Sequence, residues 1–317
     1  MPSPISVNFL SRGISIAGHL YTPHPDAPNR KHAAIVVGHP TSGVKEQAAG
    51  LYARLLAEAG FIALTFDAGY QGESGGEPHG LEDPYQRVED FKSAVTYLST
   101  LDEPQGVRVD AQRIGILGIC ASGGYVSFAA QTDLRMRAVA TVSAGCLGET
   151  TRHGIEGSGP SSLVTPELLS SLLKQSGHAR ISAAKTGEAF LVAMLPETAA
   201  GLPNDIPENG ALKEGIDYYK TPRGAHPRST NKEVMWSVDL RANYDSFAFN
   251  YMISPRPLLM IAGGDADTAY LSRRGIEKAR EPKELYIIPG KTHVDLYDDT
   301  SVTLPKLVGF MEKALCQ

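Results

Sequence analysis

Arg113-Ile114-Gly115-Ile116-Leu117-Gly118-Ile119-Cys120-Ala121-Ser122-Gly123-Gly124 changes character halfway along. Its first half is the short apolar run of a strand buried on both faces, and its second half is small residues that let the chain turn sharply into a helix. A reactive side chain at the tip of such a turn needs small neighbours two residues before and two after it, because a larger group would strike the adjoining turn. Gly118 and Ser122 meet that need around Cys120, which puts a thiol at the tip of a nucleophile elbow. A second frame centres on Ser122, flanked by Cys120 and Gly124, and the spacing alone admits both. The Cys120 frame fits better, since Gly118 then ends the strand, whereas the Ser122 frame drives the turn into the helix.

Outward from this point, strand and helix patterns alternate. Ile14 to Leu20 alternates like an edge strand, Ala33 to Gly38 and Phe61 to Phe66 are continuous apolar runs, and Ala138 to Val142 is another. Between them, Glu46 to Ala59 has Leu51, Leu55 and Leu56 at helical spacing with Gly60 as a stop, and Pro84 to Leu101 sets Val88, Phe91, Val95 and Leu98 on one face. Gly124 to Gln131 reads as the helix after the elbow. Such alternation predicts an α/β fold, a doubly wound and mostly parallel sheet with right-handed crossovers.

The alternation stops after Ala144 and resumes with Pro257 to Ile261 as strand, Ser272 to Ala279 as helix, Glu284 to Ile288 as strand and Leu304 to Leu315 as the closing helix. In between, Pro166 to Lys174 and Ile181 to Met194 read as helices, separated by loops such as Gly201 to Gly210 and Thr221 to Pro227. The expected organisation is one core, residues 1–145 and 253–317, interrupted by a helical cap, residues 146–252.

Composition excludes several classes. With 30 Lys plus Arg against 35 Asp plus Glu, a net charge of −5 and no block of like charge, nucleic acid is not an expected partner. No apolar stretch approaches the roughly 20 residues of a membrane span, and no secretory signal pattern opens the sequence, so a cytoplasmic protein without a membrane partner is expected. Three widely spaced cysteines suit neither a disulfide framework nor a zinc site. Cys146 and Cys316 lack elbow flanks and read as buried small hydrophobes. No metal cluster, P-loop or dinucleotide fingerprint is present, so no cofactor is expected.

A thiol nucleophile needs a base, which this architecture supplies on an exposed loop after the last strand; His293 stands there. An orienting carboxylate is expected after the preceding strand, where Gly263-Gly264-Asp265-Ala266-Asp267-Thr268 offers two. Asp267, three residues beyond Gly264, fits the spacing, with Asp265 as the alternative. Oxyanion donors are expected from the Ala121 N–H at the start of the helix and from Thr41 in the loop after Gly38, with His39 ordering that loop.

These residues resemble the α/β-hydrolase superfamily, in particular its dienelactone-hydrolase-like group and the fungal polyketide transferases and trans-acting thioesterases within it. The likeness is carried by Gly38-His39-Pro40 with Gly43 to Gln47, Phe66 to Gly76, Gly118 to Gly124, Pro255-Arg256-Pro257, Ala266-Asp267-Thr268 and His293 to Asp298. It implies acyl transfer from a thioester donor, presented by coenzyme A or the acyl carrier protein of a polyketide synthase. A cysteine suits such exchange, because acyl-cysteine is itself a thioester. Hydrolysis of small lactones is the alternative. Leu, Met, Phe and Tyr residues of the cap either line an apolar cleft for a long acyl chain or pack onto the core, and Arg223, His226 and Arg228 are either carrier-phosphate contacts or, more simply, ordinary loop charges.

Overall fold

A computed structural model of the chain describes residues 4–101 and 107–317. Strands β1 (Ile5–Ser11) and β2 (Ile14–Tyr21) form an antiparallel hairpin. The order then runs β3 (Ala34–Gly38), α1 (Ala48–Glu58), β4 (Ile62–Phe66), α2 (Pro84–Ser99), β5 (Ile114–Ile119), α3 (Ala121–Thr132) and β6 (Ala138–Val142). After the 146–252 segment come β9 (Leu258–Gly263), α8 (Ala269–Glu277), β10 (Lys283–Ile288), the short α9 (Asp295–Asp298) and α10 (Thr303–Leu315). α3 begins at Ala121, three residues before the expected start, because the small residues after Cys120 are already helical.

Eight strands form one sheet in the order β1-β2-β4-β3-β5-β6-β9-β10, parallel from β4 to β10. The apolar runs are continuous because each central strand faces a core on both sides. Val36, Ile114 and Ile116 pack among α2, α3 and α8, while Ile35, Val37 and Leu117 pack on the opposite face with α1 and α10. From β3 the chain goes to β4 on one side, and β5 then lies on β3's other side. The loops leaving β3 and β5 therefore diverge, opening a crevice at the carboxyl ends of the strands where ligands bind in such sheets.

Between β6 and β9 lie α4 (Leu147–His153), α5 (Pro166–Thr186), β7 (Leu191–Ala193), α6 (Ala211–Lys220), β8 (Lys232–Val234) and α7 (Ser237–Ala242). None of their strands joins the main sheet; β7 and β8 pair only with each other. Two helices were expected from Pro166 to Met194, but the structure has one. It starts at the Thr165 cap and Pro166 and stops at Gly187, whose φ of 78° is the left-handed C-cap that glycine favours. Residues 191–193, expected as helix, are strand β7. Among the described residues, no helix is long and apolar enough to cross a membrane.

Candidate active site

Cys120 joins β5 to α3 with φ 54° and ψ −121°, a left-handed backbone that a residue with a side chain adopts only when its surroundings enforce it. The surroundings do so by close approach. A Cβ on Gly118 would overlap the Ser122 carbonyl, and one on Gly124 would overlap the Gly145 carbonyl and the Ser246 hydroxyl. The Cys120 carbonyl accepts from the N–H groups of Gly123 and Gly145, each at 2.8 Å. Ser122 is turned away: it is buried, and its hydroxyl donates to the His39 carbonyl at 2.6 Å. The turn is thus centred on Cys120, not on Ser122.

His293 follows β10 and is buried, not exposed as the sequence reading expected. Helix α6 accounts for this, since its Glu214 carboxylate accepts from the Val294 N–H at 3.1 Å and brings the 146–252 segment against the His293 loop. His293 Nε2 lies 3.2 Å from the Tyr297 hydroxyl. Burial alone would push the Cys120 thiol up, but the charge of His293 and hydrogen bonds from His293, Tyr297 and the Ala121 N–H outweigh it and hold the thiol below its ordinary value. Burial likewise disfavours charge on His293, yet Cys120, with Asp267 and Glu214, holds the imidazole above its ordinary value. Both directions favour a thiolate–imidazolium pair.

The partner of the other ring nitrogen differs from the sequence expectation. The Thr268 hydroxyl, not the Asp267 carboxylate, sits 2.5 Å from His293 Nδ1. Asp267 Oδ2 instead accepts from the Ala211 N–H at 3.0 Å and from the Ser158 hydroxyl, while its Oδ1 is buried with no hydrogen-bond partner. Asp267 therefore acts on His293 through its charge. Asp265 is exposed on the surface turn, and its carbonyl accepts from the Asn209 side chain.

Thr41 lies across the crevice, its hydroxyl donating to buried Glu82 at 3.2 Å. Glu82 also accepts from the Tyr125 hydroxyl at 2.7 Å and pairs with Arg87 at 3.1 Å. His39 has Nδ1 2.7 Å from the Pro40 carbonyl and accepts from the Ala68 N–H at Nε2. Burial, then the Arg87 guanidinium, holds its imidazole well below the ordinary value, so a neutral His39 serves to order the loop. Thr41, Cys120, Thr268, His293 and Tyr297 share a cavity of about 210 Å³, walled by Leu147, Ile155, Met194, Leu195, Leu212 and Leu271. Ala121 contributes its N–H beside the Cys120 sulfur.

Arg223 is taken up by Asp217 at 3.0 Å and Asp298 at 2.8 Å, and Arg228 pairs with Glu46 and Glu73. The His226 ring accepts from the Arg228 N–H at 3.3 Å. These are loop charges already engaged within the protein. Sequence reasoning missed Thr268, Tyr297 and Tyr219 as site residues. Tyr297 carried a signal, standing one helical turn after His293; Tyr219 carried none, because α6 itself went unread.

Residues 16–151 match the dienelactone hydrolase family. The chain is 35% identical over 306 residues to uncharacterized protein YcjY of Escherichia coli K12, across 95% of each chain. It is 38% identical over 314 residues to uncharacterized protein PA2218 of Pseudomonas aeruginosa, across 98% of this chain and 80% of that one. The crystal structure of PA2218 superposes with a TM-score of 0.88, covering 98% and 94% of the two chains. A polyketide transferase of Penicillium, GrgF, is 24% identical over 270 residues, 82% of this chain and 81% of that one. The crystal structure of the α/β hydrolase GrgF, 21% identical with complete coverage of both chains, shares the fold at a TM-score of 0.80. Likeness that runs from the first strands to the closing helix makes this chain a member of the dienelactone hydrolase family, with the α/β-hydrolase fold.

Proposed function

We propose that the protein is an acyltransferase or thioesterase that takes an acyl group from a thioester onto Cys120. The observation that carries this reading is a thiol on a strained elbow, held below its ordinary pKa by a buried imidazole inside an apolar cavity. The Cys120 thiolate adds to the thioester carbonyl, and the oxyanion forms against the Ala121 N–H and the Thr41 loop. Collapse of the intermediate breaks the bond to the donor sulfur, which leaves with the proton of the His293 imidazolium. Neutral His293 then takes the proton of an acceptor hydroxyl as its oxygen attacks the acyl-cysteine. Cys120 leaves as thiolate, so the pair is regenerated and the product is an ester, a lactone or, with water, an acid.

Asp267 stabilises the charged imidazole and Thr268 fixes its Nδ1 side. The donor is a pantetheine-type thioester, free as coenzyme A or on a carrier protein. Arg223 and Arg228 already pair with carboxylates of the protein, which speaks against them as its phosphate contacts. Kinship with a polyketide transferase favours transfer over hydrolysis. The modest cavity favours a short or compact acyl group over a long chain.

That same small volume favours a second reading, the opening of small lactones. Product partitioning separates the two. Given a short-chain acyl thioester with a distal hydroxyl, or a plain one with an added alcohol, the protein should form lactone or ester faster than free acid. Rapid opening of a small enol-lactone with no reaction of either thioester would contradict transfer and establish the lactonase reading.

A further inference from the structure

Pro40 to Gly43, the turn that carries Thr41, is closed by the Gly43 N–H donating to the Pro40 carbonyl at 3.0 Å. Its third residue, Ser42, has φ 54°, a left-handed backbone that glycine adopts freely and serine only when its surroundings enforce it. Thr41 and Ser42 both line the cavity that holds Cys120. The core fixes the first half of the turn: the His39 carbonyl accepts from the Ser122 hydroxyl, and the Thr41 hydroxyl donates to Glu82. Ser42 is held differently. The Ser229 hydroxyl donates to its carbonyl at 2.7 Å and the Asn231 side-chain amide donates to its hydroxyl at 2.9 Å, so among the described residues both partners of Ser42 come from the 146–252 segment. Ser229 and Asn231 are themselves buried. Asn231 is also anchored: it precedes β8, its carbonyl accepts from the Met194 N–H at 2.9 Å, and its own φ of 52° is one that asparagine tolerates. Arg228, beside them, pairs with Glu46 and Glu73 and keeps the segment against the loop after β3.

We propose that Ser229 and Asn231 are positioning residues for the oxyanion site: from the 146–252 segment they hold Ser42 left-handed, and so hold the turn in the form that stabilises the oxyanion. The φ of the third turn residue decides which way the peptide between Thr41 and Ser42 faces, since an ordinary negative value turns that peptide over. Turning it over reverses a dipole next to Thr41, whereas an oxyanion site works because its donors and dipoles are aimed before the reaction begins. A turn that only linked β3 to α1 would not need two buried polar side chains to fix it, because glycine at position 42 would take the same conformation unaided. The oxyanion site is thus built by both parts of the chain. Ala121 and Thr41 come from the ends of sheet strands, and the hold on Ser42 comes from the segment inserted between β6 and β9.

This inference rests on Cys120 as nucleophile and the Thr41 loop as oxyanion donor, so its test compares two reactions of the same thiol. Propyl trifluoromethyl ketone takes the thiolate at its carbonyl carbon, and the carbonyl electron pair moves onto oxygen to give a hemithioketal alkoxide at the oxyanion position. Iodoacetamide alkylates the same sulfur with loss of iodide and forms no oxyanion. The dissociation constant of the ketone is read by mass spectrometry from the protection it gives Cys120 against iodoacetamide. Ser229→Ala and Asn231→Gly, the second of which keeps the left-handed backbone available, should each weaken ketone binding at least about tenfold, short of the roughly hundredfold or more that outright loss of an oxyanion donor costs. Alkylation without the ketone should keep its rate and pH profile in both. Ser229→Thr, which retains the hydroxyl, should recover most of the loss. Ketone binding unmoved in both variants overturns the positioning role alone. Ketone binding and alkylation impaired together, as general loosening would produce, also overturn it, and so does a Ser229→Thr variant no better than Ser229→Ala. A wild-type thiol that the ketone fails to protect would overturn the Cys120 chemistry and this inference with it.

Discussion

At Cys120, burial pushes the thiol up, while the charge of His293 and the hydrogen bonds from His293, Tyr297 and the Ala121 N–H together pull it down and outweigh burial. An ordinary thiol titrates near about pH 8.5. Alkylation of Cys120 by iodoacetamide should therefore rise with pH through an inflection below that value. In His293→Ala, which removes the charge and its hydrogen bond and leaves burial, the inflection should move upward. His293, held above its ordinary value, keeps its proton until pH rises through that raised value, so its acid function persists to higher pH than a free imidazole would allow. The neighbours of His293 divide into charge and contact. Asp267→Asn keeps an acceptor for Ala211 and Ser158 but loses the charge, so kcat should fall by two or more orders of magnitude, roughly as loss of a triad carboxylate does. Thr268→Val, which removes only the contact at Nδ1, should cost less. If Thr268→Val proved the more damaging, Asp267 would not be the acid. Cys120, His293 and the Asp267 region were legible from elbow flanks, strand ends and spacing. Thr268 was not, because spacing along a loop locates a residue without saying which way its side chain turns.

The element that decides the site is the strand–turn–helix of β5 and α3. Gly118 has a Cβ-sized gap closed by the Ser122 carbonyl, so Gly118→Ala forces the turn open. It should destabilise the protein by about 3 kcal/mol, the upper range for overpacking, measured by urea unfolding, and should abolish Cys120 reactivity even where the protein stays folded. This element and the strands around it were readable because both faces of each strand are buried, leaving unbroken apolar runs. β1 was not readable: Val7 and Phe9 point inward, but the outward Ile5 and Leu10 are apolar too and blur the alternation that marked β2. Nor was the end of α5: Ala189 to Met194 is an unbroken apolar run without periodicity, and the stop lies before it, at Gly187. α6 carries Gly215 at its centre, where glycine ordinarily argues against helix; here a Cβ would press on Leu195 at the cavity wall.

Across the whole molecule, charge ties the loops of the sheet to the 146–252 segment. Lys45, after β3, is buried against the buried Asp67, after β4, at 2.8 Å, and also meets Glu73 at 2.6 Å and Glu46 at 2.9 Å. Arg228 extends the network from the far segment, and the Gln47 side chain donates to the Gly224 carbonyl. The stretches 43–47 and 66–76 stood out in the sequence only as likeness to a family, because no spacing rule joins residues 45 and 67. Asp67→Ala strands a buried ammonium and should cost about 3–5 kcal/mol in denaturant unfolding; a loss under about 1 kcal/mol would mean that Glu46 and Glu73 alone suffice. Hydrogen bonds to Lys45 hold Glu73 below its ordinary carboxyl value, and Lys45 overcomes burial to do the same for Glu46. Their stabilisation is present above the ordinary carboxyl range and lost as pH falls through the depressed values, so melting temperature should drop on acidification, and less steeply in Glu73→Gln.

Most directly at stake is whether an acyl group comes to rest on Cys120. Wild-type protein mixed with a short-chain acyl thioester, quenched in acid and digested for mass spectrometry should carry one acyl mass on the peptide containing Cys120. The adduct should persist without an alcohol and disappear when one is added. Ser122→Ala should load normally and Cys120→Ala should not load at all. An acyl mass on Ser122 or elsewhere, or turnover by Cys120→Ala at the wild-type rate, would contradict the assignment of Cys120 as nucleophile.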